Sequence, residues 1–255
     1  MTLNNNQKGN YRFLTGIAPY SSGVLAMAGY EIIRVRLRQP IPLKSRIFER
    51  IQRYLSGEDR PIQALCSMEF RIPAPLSFGG FIEFNNEYQQ MLKDQDLLLG
   101  EVNPIARTNI SPAEIVLKDP VVYAFSYTAR VNDDYTLPSF IVAGAGDLDD
   151  QANLKSSAIV RPNELNPDAL EEKVKVVMKV MNERLLGLGA NYDEVSSISI
   201  YTTIPLHTFI KDAILKPIGT AALQGVNWYY SNPPIKGLAY EMDMRGIRKE
   251  LVLEI

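Results

Sequence analysis

The order strand, helix, strand, helix, strand is written twice along this 255-residue chain. In the first pass, residues 30–39 (YEIIRVRLRQ) put Ile33, Val35 and Leu37 at every second position with Arg34, Arg36 and Arg38 between them. That is a strand with one dry face and one basic face. Residues 45–56 place Ile47, Ile51, Tyr54 and Leu55 on one helical stripe, stopped by Gly57. A strand over 62–72, a helix over 79–93 carrying Phe81, Phe84, Tyr88 and Met91, an Asn- and Pro-rich loop over 102–112 and a strand over 120–131 complete the pass. The second pass has a short strand over 138–145 and then the best helix of the chain, 167–187. Its apolar face carries Leu170, Val174, Val177, Met178, Met181 and Leu185. Asn166-Pro167 opens it, and Gly187 and Gly189 close it. A strand over 195–203, a helix over 206–223 interrupted at Pro217, and a strand over 237–247 follow. The two helices recur at offsets of about 122 and 127 residues, near half the chain. This predicts an α+β fold class in two domains of one type, 1–131 and 132–255, behind a flexible lead-in over 1–18. A single mixed α/β domain is the simpler alternative.

Composition restricts the function more than it specifies it. The net charge is −2, and no polybasic run occurs, so nothing supports nucleic-acid binding. Cys66 is the one cysteine, in an alternating apolar stretch; it reads as a small buried hydrophobe rather than a nucleophile. One Cys and one His leave no zinc site, and no metal or other cofactor is expected. No run approaches the roughly 18 apolar residues of a membrane span. The opening MTLNNNQKGNYRF is polar and lacks a signal-peptide core, so a cytoplasmic location is expected.

Particular residues go beyond pattern. The long second-half helix runs into LGLGANYDEVSSISIYTT, which resembles the helix–G-x-x-x-x-D-V–strand centre of the Rid/YjgF family of enamine/imine deaminases. FIVAGAGDL is similar to that family's hydrophobic–S-G-Q strand, with Ala143-Gly144 in place of Ser-Gly. LAYEMDM resembles its closing V-E-I-E strand and puts Glu241 on the family's glutamate. In the first half, APYSSGV is similar to G-P-Y-S-x-A-V, which gives Tyr20, and NPIARTNISPA resembles P-A-R-S-x-V-x-V, which gives Arg107. The segment ending FGGFIEFNNEY is similar to the family's F-x-x-x-N-x-x-Y helix. The resemblance implies two chorismate-mutase-like (YjgF-type) domains, each a mixed β-sheet with two helices packed on one face. It also implies a homo-oligomer, usually a trimeric ring with ligand clefts between neighbours.

Such chemistry needs an arginine fork for the substrate carboxylate, a carboxylate that positions the attacking water, and a hydroxyl to orient it. The set is split between the halves. Tyr20 and Arg107 lie in the first, whose last strand has no matching acid. Glu241 lies in the second, which has no arginine around 225–227. A composite cleft is therefore expected, with Glu241 and Tyr20 catalytic and Arg107 binding the carboxylate. The alternative is that each is structural. Trp228, Tyr229 and Tyr230 either line a cleft for a planar ligand or pack an interface. His207 reads as a surface or capping residue, Arg34/Arg36/Arg38 as a solvated or salt-bridged face, and Asp147, Asp149 and Asp150 as a turn.

These readings point to a hydrolase or deaminase acting on a small carboxylate-bearing imine, enamine or amino-diene acid, aminomuconates included. Two others stand beside it. One is a non-enzymatic carboxylate-binding or regulatory protein that keeps the anion fork. The other is a chorismatase-like, pyruvate-releasing enzyme, which needs a second cationic anchor that the second half does not show. Some Rid/YjgF (L-PSP-like) members are described as ribonucleases, which an acidic chain without a basic cluster does not fit.

Overall fold

The computed structural model describes residues 2–131 and 137–255. The expected domain boundary between 131 and 132 falls at the edge of the first stretch, and the segment after it lies outside the described residues. Three short strands open the chain: β1 (Leu3–Asn6), β2 (Tyr11–Leu14) and β3 (Gly23–Ala26). Then come β4 (Tyr30–Pro42), α1 (Ile47–Gly57), β5 (Leu65–Arg71), α2 (Phe78–Asp94), β6 (Ala106–Pro112) and β7 (Val121–Arg130). The remainder holds β8 (Phe140–Gly146), α3 (Pro167–Gly187), β9 (Ser197–Tyr201), β10 (Asn227–Tyr229), β11 (Ser231–Asn232), β12 (Glu241–Gly246) and β13 (Lys249–Leu253).

These strands form two mixed sheets. The first runs β1-β2-β3-β8-β12-β9-β10, and the second runs β11-β6-β5-β7-β4-β13. Neither is confined to one half of the sequence. Tyr11, Phe13, Val24 and Leu25 are all buried, so the opening segment is built into the first sheet instead of being a flexible lead-in. At the other end the chain leaves the first sheet at Gly246 and enters the second at Lys249, where β13 runs parallel to β4.

Alternation places the layers. On β4, Ile33, Val35 and Leu37 face a core shared with Ile47, Ile51 and Leu55 of α1 and Tyr88 and Leu92 of α2. On β12, Met242 and Met244 face Val174, Val177 and Met181 of α3. The opposite faces of the two sheets meet each other, through Ile32, Cys66 and Ala106 on one side and Phe13, Val24, Ile141 and Ala143 on the other. The result is helix, sheet, sheet, helix. Cys66 is a fully buried free thiol in the central layer.

The expected pair of YjgF-type domains, each with two helices on one face, is therefore corrected to two mixed sheets with few helices. The second sheet does carry α1 and α2, but the first carries one α-helix, α3. Residues 206–223 make a π-helical turn, Ile210–Leu215, and a 3-10 turn, Gly219–Gln224, instead of a second helix. Pro217 lacks the N–H that would continue the turn, and Gly219 at φ 58° redirects the chain. Helices α2 and α3 start as their caps dictate. Ser77 Oγ accepts from Gly80 N (3.0 Å), and Asn166 Oδ1 accepts from Ala169 N (3.0 Å). Among the described residues, no helix is long and apolar enough to cross a membrane.

Candidate functional site

The loop read as Asn- and Pro-rich over 102–112 contains β6, and this decides where Arg107 points. Ala106 and Asn109–Ser111 are buried, and the strand pairs in parallel with β5. Asn103 pins the turn before it: its amide donates to Pro19 O (2.8 Å), and its Oδ1 accepts from Ile105 N (2.8 Å). Ser21 N in turn donates to Ile105 O (3.0 Å). The PYSS turn is thereby fastened against β6, which brings the Tyr20 ring to 4.9 Å from the Arg107 guanidinium carbon.

Arg107 is 2% exposed, yet among the described residues no carboxylate pairs with it. Nη2 donates to Asn85 Oδ1 (2.6 Å), and Nη1 has no partner. Tyr88 (5.0 Å), Phe84 (5.7 Å) and Phe81 (5.8 Å) complete an aromatic cage. Burial lowers the guanidinium pKa, which Tyr88, Tyr20 and Glu241 partly oppose. A buried, unneutralised guanidinium with an idle donor leaves an anion's place open, since an unmet hydrogen-bonding group inside a protein is costly. Asn109, two residues along the same face, has neither amide atom satisfied.

Across the cavity stands Glu241, the first residue of β12. Asp147 fixes its approach: Oδ1 accepts from Ala239 N (2.9 Å) and Tyr240 N (3.2 Å), while Oδ2 accepts from Lys173 Nζ (2.9 Å). Asp147, read as a turn residue, is fully buried, whereas Asp150 does cap a turn at Ala152 N. Glu241 packs over Gly144, where a Cβ would come within 2.5 Å of its Oε1. Burial raises its pKa well above the usual carboxyl value; Asp243 adds to the rise, and Arg184 and Arg107 oppose it. Burial also raises the Tyr20 phenol, so this hydroxyl stays protonated.

Tyr20, Arg107, Asn109, Gly144 and Glu241 line one cavity between the two sheets, with about 30 Å³ of space, closed by Phe81, Ile235 and Leu238. The structure thus brings Tyr20, Arg107 and Glu241 together. It does not bring Trp228, Tyr229 and Tyr230 to them. These residues lie on and after β10 at the far edge of the first sheet, where Tyr229 stacks on Tyr201 (5.2 Å) and Trp228 Nε1 donates to Thr202 O (2.9 Å). His207 is exposed. Arg36 and Arg38 pair with Glu250 and Glu254, but Arg34 is buried against Glu69. Sequence reasoning passed over Asn85, Asn109 and Arg184 as site residues; what marks them out is a buried side-chain nitrogen without a partner on each. Among the described residues, no group of three or more His, Cys, Asp or Glu is placed to hold a metal ion.

A caged arginine thus faces a carboxyl group whose pKa burial raises. The family model for the 2-aminomuconate deaminase CnbZ matches residues 3–251, and the chain belongs to that family. It is 36% identical, over 245 residues and 96% of both chains, to the 2-amino-5-chloromuconate deaminase of Comamonas testosteroni. Among solved structures, a chorismatase aligns over 91% of this chain and 78% of its own with 9% identity and a TM-score of 0.46. A cyanuric acid hydrolase from A. caulinodans aligns over 85% and 66% with 11% identity and a TM-score of 0.37.

The family assignment corrects the resemblance to Rid/YjgF. The motifs behind that reading are short runs at strand and helix ends, where Gly, Pro and Asp recur for backbone reasons in many folds. They do not outweigh a match along nearly the whole chain. The duplication and trimeric ring implied by the Rid/YjgF reading have no support from this family.

Proposed function

We propose that the chain is a hydrolytic deaminase of 2-aminomuconate-type acids, acting in the cavity that holds Arg107, Asn109, Tyr20 and Glu241. The observation that carries this reading is the unpartnered Nη1 of buried Arg107 facing the same cavity as the buried Glu241. Arg107 receives the carboxylate next to the amino-bearing carbon, and Asn109 supplies the adjoining polar contact.

Glu241, whose protonated form burial favours, gives its proton to a carbon of the enamine chain, and the C–N bond becomes a C=N iminium. The resulting carboxylate takes a proton from water as the water oxygen bonds to the nitrogen-bearing carbon of the iminium. In the carbinolamine so formed, the nitrogen picks up a proton and departs as ammonia, while the hydroxyl loses one and leaves the oxo acid. The sum is enamine plus water to oxo acid plus ammonia. The Tyr20 hydroxyl, held as a donor, orients the water or the departing nitrogen.

Ammonia release from 2-aminomuconate, measured with the wild type and with Arg107→Ala, tests the reading. Turnover by the wild type and its loss in the variant are expected. A wild type inert on 2-aminomuconate and on simpler 2-aminoacrylate-type enamines sinks it.

A further inference from the structure

A second buried guanidinium lies behind Tyr20. Arg184 of α3 is 2% exposed, and among the described residues no carboxylate pairs with it. Its Nη1 donates to Ala143 O (2.9 Å) and Gly144 O (3.1 Å), while Nε has no partner. It borders a second hollow with about 340 Å³ of space, lined also by Ser22 and Gln151 and, around it, by the carboxyl groups of Asp149, Asp150 and Glu183. Tyr20 and Gln151 line both this hollow and the cavity of Arg107 and Glu241, so the two are neighbours that share a wall. An aliphatic face of α3 does not need an arginine there. Burying an unpaired cation is costly, and an anion supplied from outside relieves the cost.

We propose that Arg184 receives a second carboxylate, so that the site takes a dicarboxylate laid past Tyr20 with one end on Arg107 and the other on Arg184. This rests on the reading of the Arg107–Glu241 cavity as the substrate site and deepens it: Arg184 sets specificity for diacids over monoacids. The two guanidiniums differ in surroundings. Arg107 is caged by aromatic rings beside Glu241 and takes the reacting end. Arg184 is anchored to the carbonyls of β8 and takes the remote end. Both charges also act on Tyr20: burial raises its phenol pKa, and Arg184 and then Arg107 oppose the rise.

The test is a binding measurement, so it does not depend on turnover. Calorimetry compares cis,cis-muconate with sorbate, a six-carbon diene acid with one carboxylate, on the wild type, Arg184→Gln, Arg184→Lys and Arg107→Gln. The wild type is expected to bind muconate about tenfold to a hundredfold more tightly than sorbate, the range of one charge-assisted contact. Arg184→Gln is expected to bring muconate down to the level of sorbate and leave sorbate unchanged, with Arg184→Lys in between. Arg107→Gln weakens both acids. Equal weakening of both acids by Arg184→Gln makes the arginine a support for β8 and overturns the proposal. A wild type that does not distinguish the two acids also overturns it, and that result stands even if the variants fail to fold. Muconate discrimination without deamination would instead leave the diacid site in place and remove the deaminase reading.

Discussion

Glu241 and Arg107 are both ionisable groups taken out of water, and each is expected to announce itself differently. Burial favours the protonated form of Glu241, with Asp243 adding to the rise in its pKa. A carboxyl whose folded pKa exceeds its unfolded value favours folding below the unfolded value, and that contribution is lost as pH rises through the folded pKa. The wild type should therefore match Glu241→Gln in stability below pH 4.5, the ordinary carboxyl value, and fall progressively behind it at higher pH. Thermal melts of the two across pH check this; a gap that does not change with pH shows that Glu241 is not perturbed. In kinetics, Glu241→Gln should lower kcat by about a hundredfold to ten-thousandfold, the span of general acid–base catalysis, with little change in KM. Arg107→Met should instead raise KM, because its hydrogen bonds to a carboxylate are worth about 1.5–3 kcal/mol each. A KM effect from Glu241→Gln with kcat intact would exchange the two roles.

Elements carry these residues to their places, and glycine at one position on β8 is part of that. A Cβ on Gly144 would stand 2.5 Å from Glu241 Oε1 and 3.1 Å from Thr108 Cγ2, both at the ends of side chains able to turn aside. Gly144→Ala should fold with a melting temperature within a few degrees of wild type and lose about a hundredfold in kcat, as a misplacement on the order of 1 Å does. Full activity in that variant would mean that the carboxyl need not sit over Gly144. The Lys173–Asp147 pair, 1% and 0% exposed, holds the other side of Glu241. Lys173→Met leaves Asp147 buried and uncompensated, so a loss of about 3–5 kcal/mol in urea unfolding is expected. A loss below 1 kcal/mol would show that Asp147 is held by the backbone amides alone.

How much of this was legible depended on local pattern. Helix α3 was readable to the residue because Asn166-Pro167 and Gly189 punctuate an unbroken apolar stripe. The strand β6 was hidden because Asn103, Pro104, Asn109 and Pro112 look like a loop, although their polar groups are consumed by tertiary partners or left facing the cavity. Arg184 drew no notice in the sequence, since nothing in its neighbours says that its side chain is buried. Tyr20, Arg107 and Glu241 could be picked by type, but their meeting depends on Ser21 and Asn103 tying two distant loops together.

At the scale of the whole molecule, sheet membership was the least legible property, because alternation tells which face of a strand is dry and not which strand lies beside it. What joins the two sheets is partly ionic. Arg34 of β4 forks onto Glu69 of β5 through Nε (2.6 Å) and Nη2 (2.7 Å). Arg245 of β12 reaches the same carboxylate at 3.8 Å from the opposite sheet, while pairing with Asp243 at 2.9 Å. Burial alone would raise the Glu69 pKa, but Arg34 and Arg245 override it and hold the group down at about 2. A depressed carboxylate contributes stability above its unfolded pKa, and that contribution disappears as pH falls through the folded one. The clamp between the sheets should therefore weaken between about pH 4.5 and about pH 2. Glu69→Gln leaves Arg34 without its fork and should cost about 3–5 kcal/mol at neutral pH. The deficit should shrink as pH falls, because the wild type then loses the same charge by protonation. Urea unfolding of both proteins at pH 7, 4 and 3 measures it. A deficit that stays constant down to pH 3 would show that the fork does not depend on the charge of Glu69, and that shape and hydrogen bonding alone join the sheets there.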